Sequence, residues 1–151
     1  MGLEIENISK SYGSNRVLDA VNLDVAPGEF VALLGPSGSG KTTLLRIIAG
    51  LQFADSGRLV MEGEDITGLE ARLRRFGMVF QSYALFEHMS VADNTAFGLR
   101  MRPRGRRPSR SEIGERVKTL LDMAEIGHLA DRYPSQLSGG QRQRVALARA
   151  L

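Results

Sequence analysis

Gly35-Pro36-Ser37-Gly38-Ser39-Gly40-Lys41-Thr42 stands between an apolar run, Phe30 to Leu34, and an apolar helical stretch, Thr43 to Ala49. No other feature constrains the fold as tightly, because the pattern has meaning only as strand, loop and helix in succession. Residues without a Cβ let the main chain come close to an anion, so that successive backbone N–H groups can wrap it. Lys41 then brings a point charge to terminal phosphates, and the Thr42 hydroxyl is placed to ligate Mg²⁺. The following helix aims its N-terminal N–H groups and the positive end of its dipole at the same anion. A Gly/Ser turn that merely joins strand to helix is the plainer alternative, and chance disfavours it given ordinary glycine usage. The pattern implies a nucleotide phosphate site.

The remaining composition narrows the class. At 151 residues the chain can bury one real core, and 42% hydrophobic with 25% charged residues is the balance of a globular protein. Cysteine is absent, which excludes disulfides, thiolate metal sites and cysteine nucleophiles and suits a reducing compartment. No apolar run approaches the ~20 residues of a membrane span. Met1-Gly2 could begin a myristoylation signal, but Glu6 stands where Ser or Thr is required. The expectation is a cytosolic chain.

The net charge is +3, and its location matters. Residues 100–118 hold Arg100, Arg102, Arg104, Arg106, Arg107, Arg110, Arg116 and Lys118 against Glu112 and Glu115, a net of +6, so the rest of the chain is net negative. Pro103, Gly105 and Pro108 interleave this patch and no aromatic residue does, so base stacking on nucleic acid is not indicated. A solvated loop is the simpler reading; contact with anionic headgroups or a membrane partner is the other.

Period-two alternation predicts strands at Leu3–Glu6, Val21–Val25 and Leu59–Met61. Pro27-Gly28 marks a turn, Phe30–Leu34 reads as the strand feeding the glycine loop, and Gly77–Phe80 reads as a second buried strand ending at Gln81. Gly50 suits the end of the first helix. From Ser90 the pattern becomes helical: Ser109 and Glu112 have capping-box spacing before Ile113, Val117, Leu120, Leu121 and Ala124, and a last helix starts at Ser138.

Leu137-Ser138-Gly139-Gly140-Gln141 heads that last helix, with Ser138 as N-cap. Two glycines there can be only a tight entry turn, yet they also clear side chains from a helix N-terminus, leaving a second anion site. With this motif the chain resembles the ATP-binding cassette (ABC) family, whose signature is the sequence at 137–141. The likeness covers essentially all 151 residues. It implies an α/β P-loop NTPase core with an antiparallel β subdomain and a helical signature subdomain, the latter at about residues 82–140.

The same resemblance implies roles residue by residue. ATP and Mg²⁺ are the expected cofactors. Tyr12 matches the aromatic position that stacks on adenine. Gly35, Pro36, Ser37, Gly38, Ser39, Gly40, Lys41, Thr42 and Thr43 match the phosphate loop, with Thr42 and Gln81 toward Mg²⁺. Gln81, like Lys41, is placed in catalysis, touching the metal or the attacking water. Ser138, Gly139, Gly140 and Gln141 would close on the nucleotide of a second ATP-binding subunit in a head-to-tail dimer. Tyr83-Ala84-Leu85-Phe86 would line the groove for a helix of membrane-spanning permease subunits, with an extracytoplasmic solute-binding protein as an indirect partner. That arrangement places the chain peripherally on the cytoplasmic face of the membrane.

Phe80 to Val91 and His128 to Pro134 look most like importers of the sulfate/thiosulfate type, and importers of molybdate, ferric iron, polyamines or maltose share much of the pattern. One departure is plain. The sequence stops at Leu151, before an apolar strand ending in Asp-Glu (Walker B) and a switch histidine; His88 and His128 lie upstream of the signature. The expectation is the N-terminal part of an ABC ATPase, truncated before the Walker B strand and inactive alone, because phosphoryl transfer needs a group that orients the attacking water. A non-catalytic nucleotide-binding fragment is the alternative of a different class. A soluble ABC ATPase acting on DNA or ribosomes fits less well, given the short helical insertion, and a small-molecule kinase has no use for residues 137–141.

Overall fold

Leu3, Ile5 and Ile8 point the first strand toward a core, but their spacing is not a uniform two. The computed structural model, which describes residues 2–74 and 76–151, shows why. Strand β1 (Leu3–Tyr12) pairs antiparallel with β2 (Asn15–Val25), and the register shifts between Ile5 and Ile8. Asn7 takes φ 50° at this bulge, and its backbone N–H donates to Asn22 Oδ1 at 2.9 Å. The extra residue returns Ile8 to the buried face beside Ile5. Strand β3 (Ser56–Met61) pairs with the other edge of β1, and β4 (Glu64–Asp65) with β3, giving an antiparallel sheet of order β2-β1-β3-β4.

Helices α1 (Lys41–Ile48) and α2 (Ala71–Arg74) complete the first of two units, which ends at Phe76. Its core joins Ile5, Ile8, Leu18, Leu59 and Ile66 to Leu44 and Ile47 of α1. Each such side chain contributes about 1.5–3 kcal/mol on burial, so α1 is fixed to the sheet by its apolar face while its N-terminus stays at the surface.

The second unit, Gly77 to Leu151, is helical. Helices α3 (Val91–Arg100), α4 (Arg110–Met123) and α5 (Gly139–Ala150) enclose a core of Val91, Ala96, Ile113, Val117, Leu120, Leu121, Val145 and Ala148. Short 3₁₀ turns lie at Arg104–Arg106, Gly127–Leu129 and Pro134–Gln136. The helix starts follow the capping residues: Ser90 Oγ accepts from the Asp93 N–H, and Ser109 with Glu112 forms a complete capping box.

Two expected strands are corrected. Residues 30–34 and 77–80 are not in β-ladders. Phe30 is 92% and Leu34 90% exposed, while Leu33 alone of that run packs against the first core. An apolar run becomes a strand only when a neighbour accepts and donates its backbone hydrogen bonds, and no described strand pairs with either segment.

Candidate nucleotide-binding site

The glycine loop turns directly into α1. Gly40 is its N-cap at φ 90°, and a Cβ built there would lie 2.7 Å from a Leu18 methyl and 2.8 Å from Val17 O. Only glycine fits, both for its left-handed backbone and for the close approach of β2. No side chain caps α1. Its first N–H groups therefore have no intrahelical or side-chain acceptor, the arrangement that suits a phosphate. Lys41 folds back over the loop, donating from Nζ to Gly35 O (2.8 Å), Pro36 O (2.5 Å) and Ser39 Oγ (3.1 Å). Three neutral acceptors hold the ammonium at the loop, and among the described residues no carboxylate lies within ion-pair distance of it.

Tyr12 ends β1 and is half exposed. Its hydroxyl accepts from Gln52 Nε2 at 2.5 Å, and Lys10 Nζ lies 6.0 Å from the ring centroid. Hydrogen bonds from Gln52 first and Thr43 second draw the phenol below its usual pKa. Tyr12 and the start of α1 thus share one neighbourhood, with a ring face available for stacking. Lys10 is held in turn by Asp55, at 2.5 Å.

The other residues singled out belong to the second unit. Gln81 is exposed, in a turn. Ser138 caps α5 through Oγ, which accepts from the Gln141 N–H (3.3 Å), while Gln141 Oε1 accepts from the Ser138 N–H (2.9 Å). This reciprocal box leaves the first two helical amides, those of Gly139 and Gly140, uncapped. Ser82, Tyr83, Ala84, Leu85, Glu87 and Arg142 line a cleft of about 530 Å³.

Nucleotide and metal can be weighed against these residues. A glycine-rich turn leading straight into an uncapped helix start and the Lys41 ammonium held over the loop together fit a polyphosphate. Among the described residues there is no cluster of three or more His, Asp or Glu side chains that could hold a metal.

The sequence model of the ABC transporter family matches residues 18–151. The chain belongs to that family. It is 62% identical over all 151 residues to the sulfate/thiosulfate import ATP-binding protein CysA of Pseudomonas putida, of which it covers 46%. It is also 62% identical to the protein of the same name from Acinetobacter baylyi, covering 43% of it. The chain thus spans under half the length of these relatives. Among solved structures, the ATP-binding cassette MJ0796, a dimer in a post-hydrolysis state bound to ADP and Pi, matches with a TM-score of 0.87 and 38% identity over 99% of this chain and 68% of that one. The fold is therefore that of an ABC ATPase cassette.

Three residues that support this ABC cassette carried no sequence signal. Arg74, 1% exposed, donates to the carbonyls of Ile47, Ile48, Thr67 and Leu69 at 2.6–3.1 Å, closing the C-terminal end of α1. Buried Asn94 bonds the backbone of Phe86, Met89 and Ser90. Arg149, near the end of α5, donates to Ala84 O (2.6 Å) and Tyr83 O (3.2 Å), and its guanidinium lies 5.4 Å from the Phe86 ring centroid. Tyr83 and Ala84 both have positive φ, 61° and 47°. The segment after Gln81 is thus a strained turn clamped from the helix that begins with the signature residues.

Proposed function

We propose that this chain is the nucleotide-binding portion of an import ATPase that couples ATP hydrolysis to uptake of a small solute, with sulfate or thiosulfate as the solute. The phosphate loop carries the reading: Gly40 turns the chain directly into α1, the α1 amides are open, and Lys41 is held over the loop. The solute follows from the 62% identity to the sulfate/thiosulfate import proteins. In such importers solute choice lies largely in other subunits, so these residues need hold no sulfate site.

In this reading Lys41 would turn from the loop carbonyls to the terminal phosphates, and the Thr42 hydroxyl and Gln81 would hold Mg²⁺, which would offset phosphate charge. Tyr12 stacks on the base. The amides of Gly139 and Gly140, with Ser138, meet the γ-phosphate of a second subunit's nucleotide in a head-to-tail dimer. The cleft at Ser82–Glu87 receives a permease helix, at the cytoplasmic face of the membrane. Binding is assigned to these residues and hydrolysis to the whole protein.

Fluorescent-nucleotide titration tests the reading. Lys41→Ala should abolish ATP binding. Tyr12→Ala should weaken ATP by about 1–3 kcal/mol, as base–aromatic stacking does in nucleic-acid complexes, and leave bare triphosphate unchanged. Equal loss of both ligands would remove Tyr12 from the base, and full ATP affinity in Lys41→Ala would remove the loop from the phosphates.

A further inference from the structure

The arginine-rich connection between α3 and α4 carries none of the residues assigned to the nucleotide. Of the eight cations in residues 100–118, only Arg100 has a carboxylate within ion-pair distance among the described residues, Asp93 at 2.6 Å. Glu112 is occupied as a cap, accepting the Ser109 N–H at 2.7 Å. Arg107 spends only Nε, on Arg102 O. Unpaired like charges held this close repel one another, so a purely structural loop gains nothing from them.

A groove of about 630 Å³ opens between the two helices, lined by Arg100, Arg107 and Arg110, by the carboxylate Asp93 that Arg100 neutralises, and by the small residues Ala92, Ala96 and Gly114. Arginine forks match phosphate oxygens in pairs and lose hydration readily. Met101, 61% exposed, stands between Arg100 and Arg102 as an apolar tip. The larger aliphatic side chains of the groove, Ile113 and Val117, are buried in the core. That leaves no aromatic or aliphatic anchor of the kind that dominates protein interfaces, and no ring on which a base could stack. A bilayer needs neither, since it offers many phosphates at once to a cluster of cations.

We propose that this groove and the adjoining Arg104–Arg106 turn bind the headgroups of anionic phospholipids, seating the helical unit on the membrane surface. The inference rests on the importer reading for the presence of a membrane nearby, and on the charge and shape of this face for the ligand.

Co-flotation with vesicles of phosphatidylcholine, with and without phosphatidylglycerol, tests it. Binding should require phosphatidylglycerol and fall steeply with salt. Each basic residue at an anionic surface should multiply partitioning about fivefold. Arg107→Glu/Arg110→Glu should therefore lower it by about 25-fold or more. Arg104→Glu/Arg106→Glu should do the same; neither side chain makes a hydrogen bond among the described residues, so that pair leaves the fold intact. Arg16→Glu/Arg72→Glu makes the same charge change elsewhere and should have little effect. Equal losses in all three pairs, or no dependence on phosphatidylglycerol, would overturn the proposal. So would capture of soluble polyglutamate without vesicle binding, which would assign the face to an acidic protein segment. ATP titration of the same samples separates the two readings: intact nucleotide binding without vesicle binding sinks the lipid site alone.

Discussion

Replacing Arg74 by methionine keeps most of the side-chain volume and removes every donor. The guanidinium serves four carbonyls: Ile47 O (2.6 Å), Leu69 O (2.7 Å), Thr67 O (2.8 Å) and Ile48 O (3.1 Å). Ile47 O keeps a second partner, the Gly50 N–H at 3.1 Å, so three acceptors lose the partner they have here. A fully buried orphaned acceptor costs about 1–3 kcal/mol; these three are part-buried and fall toward the low end, and relief from burying a charge returns part of that. Desolvation already draws the Arg74 pKa down, which shows that burial works against the cation. The net expectation is a loss of about 3 kcal/mol, a large share of the roughly 8–20 kcal/mol available to a chain this long. Arg74→Lys keeps the charge but cannot reach four acceptors from one point, and should lose about half as much. Gly50 supplies an independent route. It has φ +72°, and a Cβ there would sit 2.8 Å from Arg74 Nε and 2.8 Å from Ala71 N. Gly50→Ala should displace the arginine, so the double variant should cost less than the two singles together. Urea unfolding followed by far-UV circular dichroism measures each. Arg74→Met within about 1 kcal/mol of the parent, or strict additivity with Gly50→Ala, would refute the reasoning.

Arg149→Ala should free the strained turn at Tyr83–Ala84, since hydrogen bonds to a charged donor are worth about 1.5–3 kcal/mol each. Amide exchange over residues 83–86 should quicken well before the rest of the second unit responds, and unchanged exchange there would show that the clamp is idle. Asp65 is held at a pKa of about 2, chiefly by hydrogen bonds from Thr67 and then by Arg58. Because its folded pKa is depressed, its contribution to stability is complete above about pH 4 and lost as pH falls through about 2. An NMR titration of the Asp65 carboxyl should find that midpoint, and Asp65→Asn should flatten stability over the same window.

What was legible in the sequence was local. The Ser109/Glu112 box and the Ser138 cap formed as expected because each needs only residues three apart; the return bond from Gln141 that completes a second box was not read. The loop-to-helix turn at Gly40 and the end of α1 before Gly50 were readable for the same reason. Alternation located β1 and β2 but missed their length, because the bulge at Asn7 breaks the period that alternation relies on. The runs at 30–34 and 77–80 show that local apolarity suits a strand without supplying the neighbour that makes one. Arg74 and Arg149 were illegible for a third reason. Their partners are carbonyls, which every residue carries, so no side-chain pattern announces them. Tyr12 beside Thr43 joins positions 31 residues apart, and only the folded hairpin and helix reveal that pairing.

The box that starts α5 divides the labour of one oxygen atom. Ser138 Oγ accepts the Gln141 N–H, which uses a lone pair and leaves the hydroxyl proton free to point outward. Acceptor and donor therefore have different tasks: one is committed to the cap, and on the proposed reading the other would meet a phosphate. Because the cap is already made, that helix start would lose little ordering entropy when the anion binds. Substitution can separate the two tasks. Ser138→Asp keeps the cap, since aspartate is as good an acceptor, but removes the proton and adds a repelling charge; Ser138→Ala removes cap and proton together. If Ser138→Asp leaves helix stability intact yet impairs nucleotide-driven dimer closure, the cap alone does not account for the serine. Unimpaired closure in Ser138→Asp would make the serine a cap and nothing more.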